Sequence, residues 1–322
     1  MTSRERVLAI LKGEKPDRIP FNFWMDRDIM IELDCLFGEN FRVNYYGADV
    51  IEAFAFMDYF PQFQAEYIHD EKTSWQVKAK VDDFSQILEY PIPRGNNPEI
   101  YANIRDTRNK YPDKAIFAMM MAPLGIISNL KMPEDFYIGL MLESDIIHEI
   151  LCKIKPTMIE IAENTCKEDI DVLYLAEDFC MATGLMYSQK MLKEFHFEYM
   201  KDVIQIAHDA GKKVFYHTDG FIMDAIDLFI EYKIDGINPV EPRYNDSKLF
   251  SEKTKGKLMV YGGIDNCNII PNGTFDEIEK HLNYQFQNLG KNGGLIFSSH
   301  DIPSCCPIEN LDFMVKTIKN MK

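Results

Sequence analysis

The sequence predicts an α/β protein of the (β/α)₈ barrel type, and three observations carry that prediction. From about residue 115 onward, apolar runs of four to eight residues alternate with longer segments of helical period. The runs are apolar almost without interruption, as strands buried on both faces are, so they suit a parallel sheet covered by helices. No Gly-x-Gly-x-x-Gly follows any of them, which removes the phosphate-binding turn that an open dinucleotide-binding sheet requires.

In order, "MTSRERVLAILKGEKPDRIP" (1–20) reads as a short amphipathic helix, without the unbroken apolar core or small-residue cleavage site of a secretion signal. "IPFNFWM" (19–25) reads as a first strand. Residues 64–92 alternate like a hairpin and form an insertion near the barrel mouth. "AIFAMMMAPLG" (115–125) is a strand running into a loop, followed by helices over 133–144 and 145–168. "DVLYLAED" (171–178) is a strand, and the helix over 188–211 has Ser188 as N-cap and Gly211 as C-cap.

The alternation continues with strand "KVFYHTDG" (213–220), helix 221–233, strand "DGINPVEP" (235–242) and helix 247–256. Strand "LMVYGGID" (258–265), helix 275–293, strand "GLIFSSH" (294–300) and helix 308–321 complete it, with "GKNGG" (290–294) as a helix stop. Six strands and the segment 19–25 come close to the eight of a barrel. No repeat, low-complexity tract or linker divides the chain, so residues 1–322 are read as one domain.

Composition removes several classes of function. A formal charge of −16 disfavours nucleic acid and anionic membrane surfaces, both of which need clustered Lys and Arg. Seven cysteines without regular spacing make no disulfide framework and suit a reducing, cytoplasmic compartment. No run approaches the roughly 18 apolar residues that span a bilayer.

In a (β/α)₈ barrel the chemistry sits where strands end at their C-terminal side. The strand over 171–176 ends in Glu177 and Asp178, and the strand over 214–216 ends in His217 and Asp219. The next three end in Glu241, in Asp265, and in His300 with Asp301. His217 and Asp219 are two apart on an extended chain, so they face one space. Plainer readings stand beside these. Asp265, followed by Asn266, also suits a turn; Glu241 also suits a helix cap or a pair with Arg243; Asp178 also suits a solvated loop.

Histidine is scarcer, and two of the seven at strand ends are harder to assign to turns. His69, His148, His196, His208 and His281 lie in helices or the insertion, where a surface position suits most. Two imidazoles with one or two carboxylates suit Zn²⁺ with an open position for substrate. No Gly-x-Ser-x-Gly elbow supports a serine hydrolase. Cys180 and the vicinal Cys305–Cys306 give only a weak case for a catalytic thiol.

"SRERVLAILKGEKPDRIPF", "VFYHTDGFIMDAIDLFIEYKIDGINPVEP", "YGGID" and "GGLIFSSHDIPSCCPIENLDFM" resemble, in order, the signatures of the uroporphyrinogen decarboxylase-like superfamily. The resemblance covers nearly the whole chain and implies a distorted (β/α)₈ barrel. The true decarboxylases carry an Arg-rich stretch after the first strand that holds porphyrinogen carboxylates. Here that stretch reads "FWMDRDIMIEL", with Asp26 and only Arg27.

The other branch holds zinc-dependent methyltransferases that work with a corrinoid protein. Its thiol-methylating members carry His-x-Cys and a late Cys; here His217 keeps the His, while Asp219 and His300 stand at the two Cys positions. Harder ligands leave zinc a stronger Lewis acid, which suits methyl ethers. Related methyltransferases use Glu and His for zinc, which makes Glu177 and Glu194 candidates, with Asp178 an equally placed substitute for Glu177.

The expectation is therefore a zinc-dependent methyltransferase moving a methyl group between a small O-methyl substrate and a corrinoid protein. His217, Asp219, His300 and Glu177 are expected at the metal, and Asp265 and Glu241 as substrate-orienting groups or a proton donor. Asp26, Asp178 and Tyr216 are expected against the substrate. A metal-free decarboxylase or lyase, with Asp26 and His217 handling protons, is the alternative, and a non-catalytic binding barrel a third. Self-association, the methyl donor and the direction of transfer stay open.

Overall fold

The computed structural model describes residues 1–55, 57–63, 66–69, 74–290 and 294–322. Its strands are, in chain order, β1 (Trp24–Met25), β2 (Val50–Phe54), β3 (Glu66–His69), β4 (Ser74–Lys78), β5 (Ala115–Met121), β6 (Val172–Ala176) and β7 (Cys180–Met181). There follow β8 (Gly184–Leu185), β9 (Lys213–His217), β10 (Gly236–Asn238), β11 (Met259–Gly263), β12 (Leu295–Ser298) and β13 (Asp301–Ile302). One parallel sheet runs β2-β5-β6-β9-β10-β11-β12, so spatial order follows chain order.

The sheet closes through residues 20–22. The Phe297 N–H donates to the Pro20 carbonyl at 2.9 Å, the Asn22 N–H to Phe297 O at 2.9 Å, and the Asp49 N–H to Phe21 O at 2.8 Å. This segment stands where the eighth strand belongs, and the fold is a distorted (β/α)₈ barrel. The distortion has a local cause. Pro20 has no N–H to give, and the Phe21 N–H goes to the Asp49 carboxylate at 3.0 Å. The strand expected over 19–25 therefore reaches regular pairing only at β1, which lies beside β13.

Side chains alternate across the sheet. Val50, Phe117, Val172, Phe215, Tyr261 and Ile296 fill the barrel, with Phe117 edge-on to Phe215 and Tyr261 at ring separations of 5.3 and 5.0 Å. Val7, Ile10 and Leu11 pack into this same cluster. They come from the helix Ser3–Leu11, held at its start by the reciprocal Thr2–Glu5 capping box. The intervening strand residues, Leu173, Leu175, Val214 and Tyr216 among them, face the helices.

Two local expectations shift. β2 lies between the expected strand 19–25 and the expected hairpin, at residues not read as a strand because Glu52 interrupts their short apolar run. The helix expected over 221–233 is confined to Ile226–Glu231, since the Phe221 and Ile222 N–H groups are taken by Met181 O and Asn245 Oδ1. The helix over 188–211 forms as expected: Ser188 Oγ accepts the Met191 N–H, and Gly211 follows the last turn with φ +70°. A π-turn at Lys193–Phe197 interrupts it.

β3 and β4 pair as an antiparallel hairpin in the first part of the span 64–92, whose later part holds the helix Ser85–Glu89 instead; residues 64, 65 and 70–73 lie outside the described residues. The chain leaving β4 bonds through Lys80 and Val81 to the Leu130 carbonyl, beyond the end of β5, on the mouth side. Residues 291–293 of the glycine-rich helix stop likewise lie outside the described residues. No helix among the described residues is long and apolar enough to cross a membrane.

Candidate metal centre

His217 is the last residue of β9 and points into the barrel mouth with Phe215, two residues earlier, below it. Asp219 follows on a turn fixed at both ends. The Thr218 hydroxyl, fully buried, accepts the Phe179 N–H at 3.1 Å, and Gly220 donates its N–H to Glu241 Oε2 at 2.8 Å. Gly220 has φ +88°, and a Cβ there would lie 2.6 Å from the Met181 carbonyl oxygen. Only glycine fits both the conformation and the gap.

His300 comes from the loop after β12. One ligand atom from each of His217, Asp219 and His300 falls within 4.8 Å of the others. His217 Nε2 lies 3.8 Å from Asp219 Oδ1, His300 Nε2 lies 3.2 Å from Asp219 Oδ2, and the imidazoles stack at 5.9 Å and 25°.

The tautomer of His217 follows from its other nitrogen. Nδ1 lies 2.7 Å from Asn238 Oδ1, which only accepts, so Nδ1 carries the proton and the Nε2 lone pair faces the mouth. Asn238 is held in turn. Its Oδ1 also accepts the Tyr174 hydroxyl at 2.6 Å, and its Nδ2 donates to the Tyr261 carbonyl at 2.5 Å. A carbonyl behind a histidine is the usual device for aiming a metal-binding nitrogen.

Asp219 Oδ1 is buried and has no hydrogen-bond partner among the described residues. Burial pushes the Asp219 carboxyl up, and the two histidines pull it back down. An orphaned carboxylate oxygen between two imidazoles is costly unless something positive sits against it. Two nitrogens and one oxygen, open to the mouth, fit a divalent ion such as Zn²⁺.

The remaining expected residues divide. Asp178 stays at the rim: half-exposed, it accepts the Asp219 N–H at 3.0 Å and lies 3.8 Å from His217 Nε2. Asp26 lies at the start of the helix Arg27–Phe37 and accepts the Ser304 N–H at 3.1 Å. Its charge, behind the larger effect of burial, helps push the neighbouring Asp301 carboxyl up.

Glu177 and Tyr216 do not join the group. Strand alternation sends both to the outer face, where Glu177 Oε2 lies 3.3 Å from His196 Nδ1 and the Tyr216 hydroxyl 2.9 Å from His196 Nε2. Both are buried, as is His196, a histidine in a helix whose general expectation was the surface.

Glu241 and Asp265 brace loops. Glu241 is buried, ion-paired with Arg243 at 2.5 Å and bonded to Gly220, so it supports the Asp219 turn from below. Asp265 Oδ1 accepts the N–H groups of Cys267 and Asn268, the plain turn that the sequence left open. Glu194 lies away from the group, against His148 Nε2 at 3.2 Å.

Sequence reasoning passed over Tyr174 and Asn238. Their signal was the same two-residue rule that singled out Asp219: on β10 Asn238 is the inward residue level with His217, and on β6 Tyr174 is the inward residue level with Phe215, one step below. It also passed over Glu52, buried in the barrel, which accepts from Asn22, from Trp24 Nε1 at 3.1 Å and from the Tyr261 hydroxyl.

The model of the family described as uroporphyrinogen decarboxylase (URO-D) matches residues 65–321. No curated protein matches the chain. Among solved structures, the chain is similar to a methyltransferase from Methanosarcina mazei, at 15% identity and a TM-score of 0.72, over 99% of this chain and 98% of that one. It is also similar to a B12-independent methionine synthase from Shewanella sp. W3-18-1, at 10% identity and a TM-score of 0.55, over 90% and 84% of the two chains. At such identities the likeness is one of fold.

Proposed function

The chain belongs to the uroporphyrinogen decarboxylase family, and from that premise we propose that it is a zinc-dependent methyltransferase moving a methyl group between a small O-methyl substrate and a corrinoid protein. The observation that carries the reading is the His217–Asp219–His300 group with its orphaned oxygen. Decarboxylation of a polyacidic substrate fits poorly, because Asp26, Asp178, Asp219 and Asp301 crowd the mouth and would repel it.

His217, Asp219 and His300 would hold the ion, and Asn238 fixes the ring of His217. When bound, Zn²⁺ supplies Lewis acidity toward the leaving oxygen, and the corrinoid supplies the nucleophile that takes the methyl group. Asp178 is placed to orient the donor at the rim. The interior of the barrel below is packed with aromatic rings, which keeps water from the underside of the site. Free cysteines throughout suit a cytoplasmic setting.

Elemental analysis of the purified protein beside His217→Ala tests the metal. One zinc per chain, lost in the variant, is the expected result. Methyl ethers are then screened with free cob(I)alamin as acceptor. No metal in the wild-type protein even after zinc is added back would replace this reading by the metal-free lyase.

A further inference from the structure

The helix Pro133–Leu142 is apolar on both sides. Its inner face buries Phe136, Gly139 and Leu140. A Cβ on Gly139 would lie 2.5 Å from the Phe84 ring, so this face is packed tightly. The outer face of a surface helix is normally polar. Here it presents Ile138, Met141 and Leu142, which are 53%, 73% and 78% exposed, with Tyr137 beside them.

The patch runs on to the metal centre. The Tyr137 hydroxyl reaches Met186 Sδ at 3.2 Å, just past the β7–β8 hairpin that follows the end of β6. Met181 of that hairpin is 50% exposed, and its carbonyl accepts the Phe221 N–H at 2.9 Å, two residues from Asp219. A groove of about 420 Å³ lies between helix and hairpin, with Met141, Met186 and Met191 in its walls. Methionine is the apolar side chain that best adapts to a second surface.

Charge says what kind of surface. Residues 132–152 contain Glu134, Asp135, Glu143, Asp145 and Glu149 and no Lys or Arg. All five carboxylates are exposed, and none has an ion-pair partner among the described residues. A second copy, itself carrying −16, would bring the same acidic rim against this one. The complement is an apolar face rimmed by Lys and Arg on a different protein.

We propose that the outer face of the helix Pro133–Leu142, continued by Met181, is the docking surface for the corrinoid-carrying partner, which meets it with an apolar face edged in basic residues. The proposal rests on the methyl-transfer reading, since a carried corrinoid must be brought to the rim beside Asp219. A partner seated on this patch is already against the hairpin that adjoins the metal centre.

The test uses the full-length zinc-loaded protein and the purified, cobalamin-loaded corrinoid protein of the same organism, with binding followed by surface plasmon resonance. Met141→Lys/Leu142→Lys is expected to weaken binding at least tenfold while leaving the thermal midpoint unchanged, because both side chains are largely in water. Leu249→Lys, an exposed apolar residue on the helix Ser247–Thr254, is expected to bind as wild type. Wild-type affinity is expected to fall as sodium chloride is raised.

Equal binding by the double variant and wild type overturns the proposal, as does absence of wild-type binding. A wild-type dimer that the double variant dissolves also overturns it, in favour of a second copy. Methyl transfer to free cob(I)alamin is measured separately and is expected to be the same in the double variant. If that transfer fails in every protein while binding behaves as expected, the docking surface stands and the methyl-transfer reading falls.

Discussion

Asn238→Ala isolates the part of the candidate metal centre that the structure explains best. Asn238 touches no ion in the proposed site, yet its Oδ1 takes the His217 Nδ1 proton at 2.7 Å and the Tyr174 hydroxyl at 2.6 Å. Its Nδ2 serves the Tyr261 carbonyl. The alanine variant loses three buried hydrogen bonds at about 1 kcal/mol each, so about 3 kcal/mol of stability should go. Freed of its partner, His217 can rotate or change tautomer. Loss of such a partner typically costs about 10–100-fold in metal affinity, or about 1.4–2.7 kcal/mol.

Zinc affinity is read by competition with a chelating dye at neutral pH, and stability by urea unfolding of the metal-free protein. Tyr174→Phe serves as the comparison, because it removes the hydroxyl that bonds Asn238 and lies 3.3 Å from His217 Nδ1, yet leaves the shorter 2.7 Å bond between Asn238 and His217 in place. It should weaken zinc by much less. A stability loss in Asn238→Ala with zinc affinity within about threefold of wild type would refute the idea that this amide aims His217.

The same geometry yields further expectations. Asp219 is partly buried and that burial pushes its carboxyl up, so in the metal-free protein its contribution to stability is present at low pH and is lost as pH rises through its folded-state value. Asp219→Asn should therefore unfold at higher urea than metal-free wild type at neutral pH, with the gap closing toward about pH 3–4, and should bind zinc poorly. An Asn variant less stable at neutral pH contradicts this. Gly220→Ala forces a Cβ against the Met181 carbonyl and should lower zinc affinity through displacement of Asp219; unchanged zinc binding would mean the turn is slack. Tyr216→Phe breaks the bond to His196 on the outer face and should cost about 1 kcal/mol of stability while zinc content stays at the wild-type level, as titrated by elemental analysis.

The barrel was legible because buried parallel strands are written as unbroken apolar runs, and six of them stood in sequence after residue 115. β2 was not, since a single inward Glu52 disguises a five-residue strand as loop. At the mouth, the two-residue rule that tied His217 to Asp219 was sound, and applied one residue further it also excludes Tyr216 and Glu177 from the same space. Their inclusion came from residue type and nearness in sequence, which ignore the alternation. Asp265 and Glu241 show the other limit. A carboxylate at a strand end satisfies a turn or an arginine as readily as a substrate, and only neighbours distant in sequence, such as Gly220 beside Glu241, decide which.

The closure through residues 20–22 sets where the barrel breathes. Three backbone hydrogen bonds and a proline stand there in place of a full ladder, so opening along this line exposes less structure than opening between any two regular strands. β12 forms one side of the line, and His300 is carried two residues beyond it. His217 and Asp219 sit on the far side of β10 and β11 in the same sheet, so an ion held by all three would span the mouth from the strand at the closure to the middle of the sheet. At 100 times its dissociation constant such a ligand adds about 2.7 kcal/mol to the opening free energy. Amide hydrogens of β12 that exchange by its splaying from the sheet would then exchange about a hundredfold more slowly in the zinc-loaded protein, while those of β5 and β6 would hardly change. The metal centre would thus be a fastener for the fold as well as its site of chemistry.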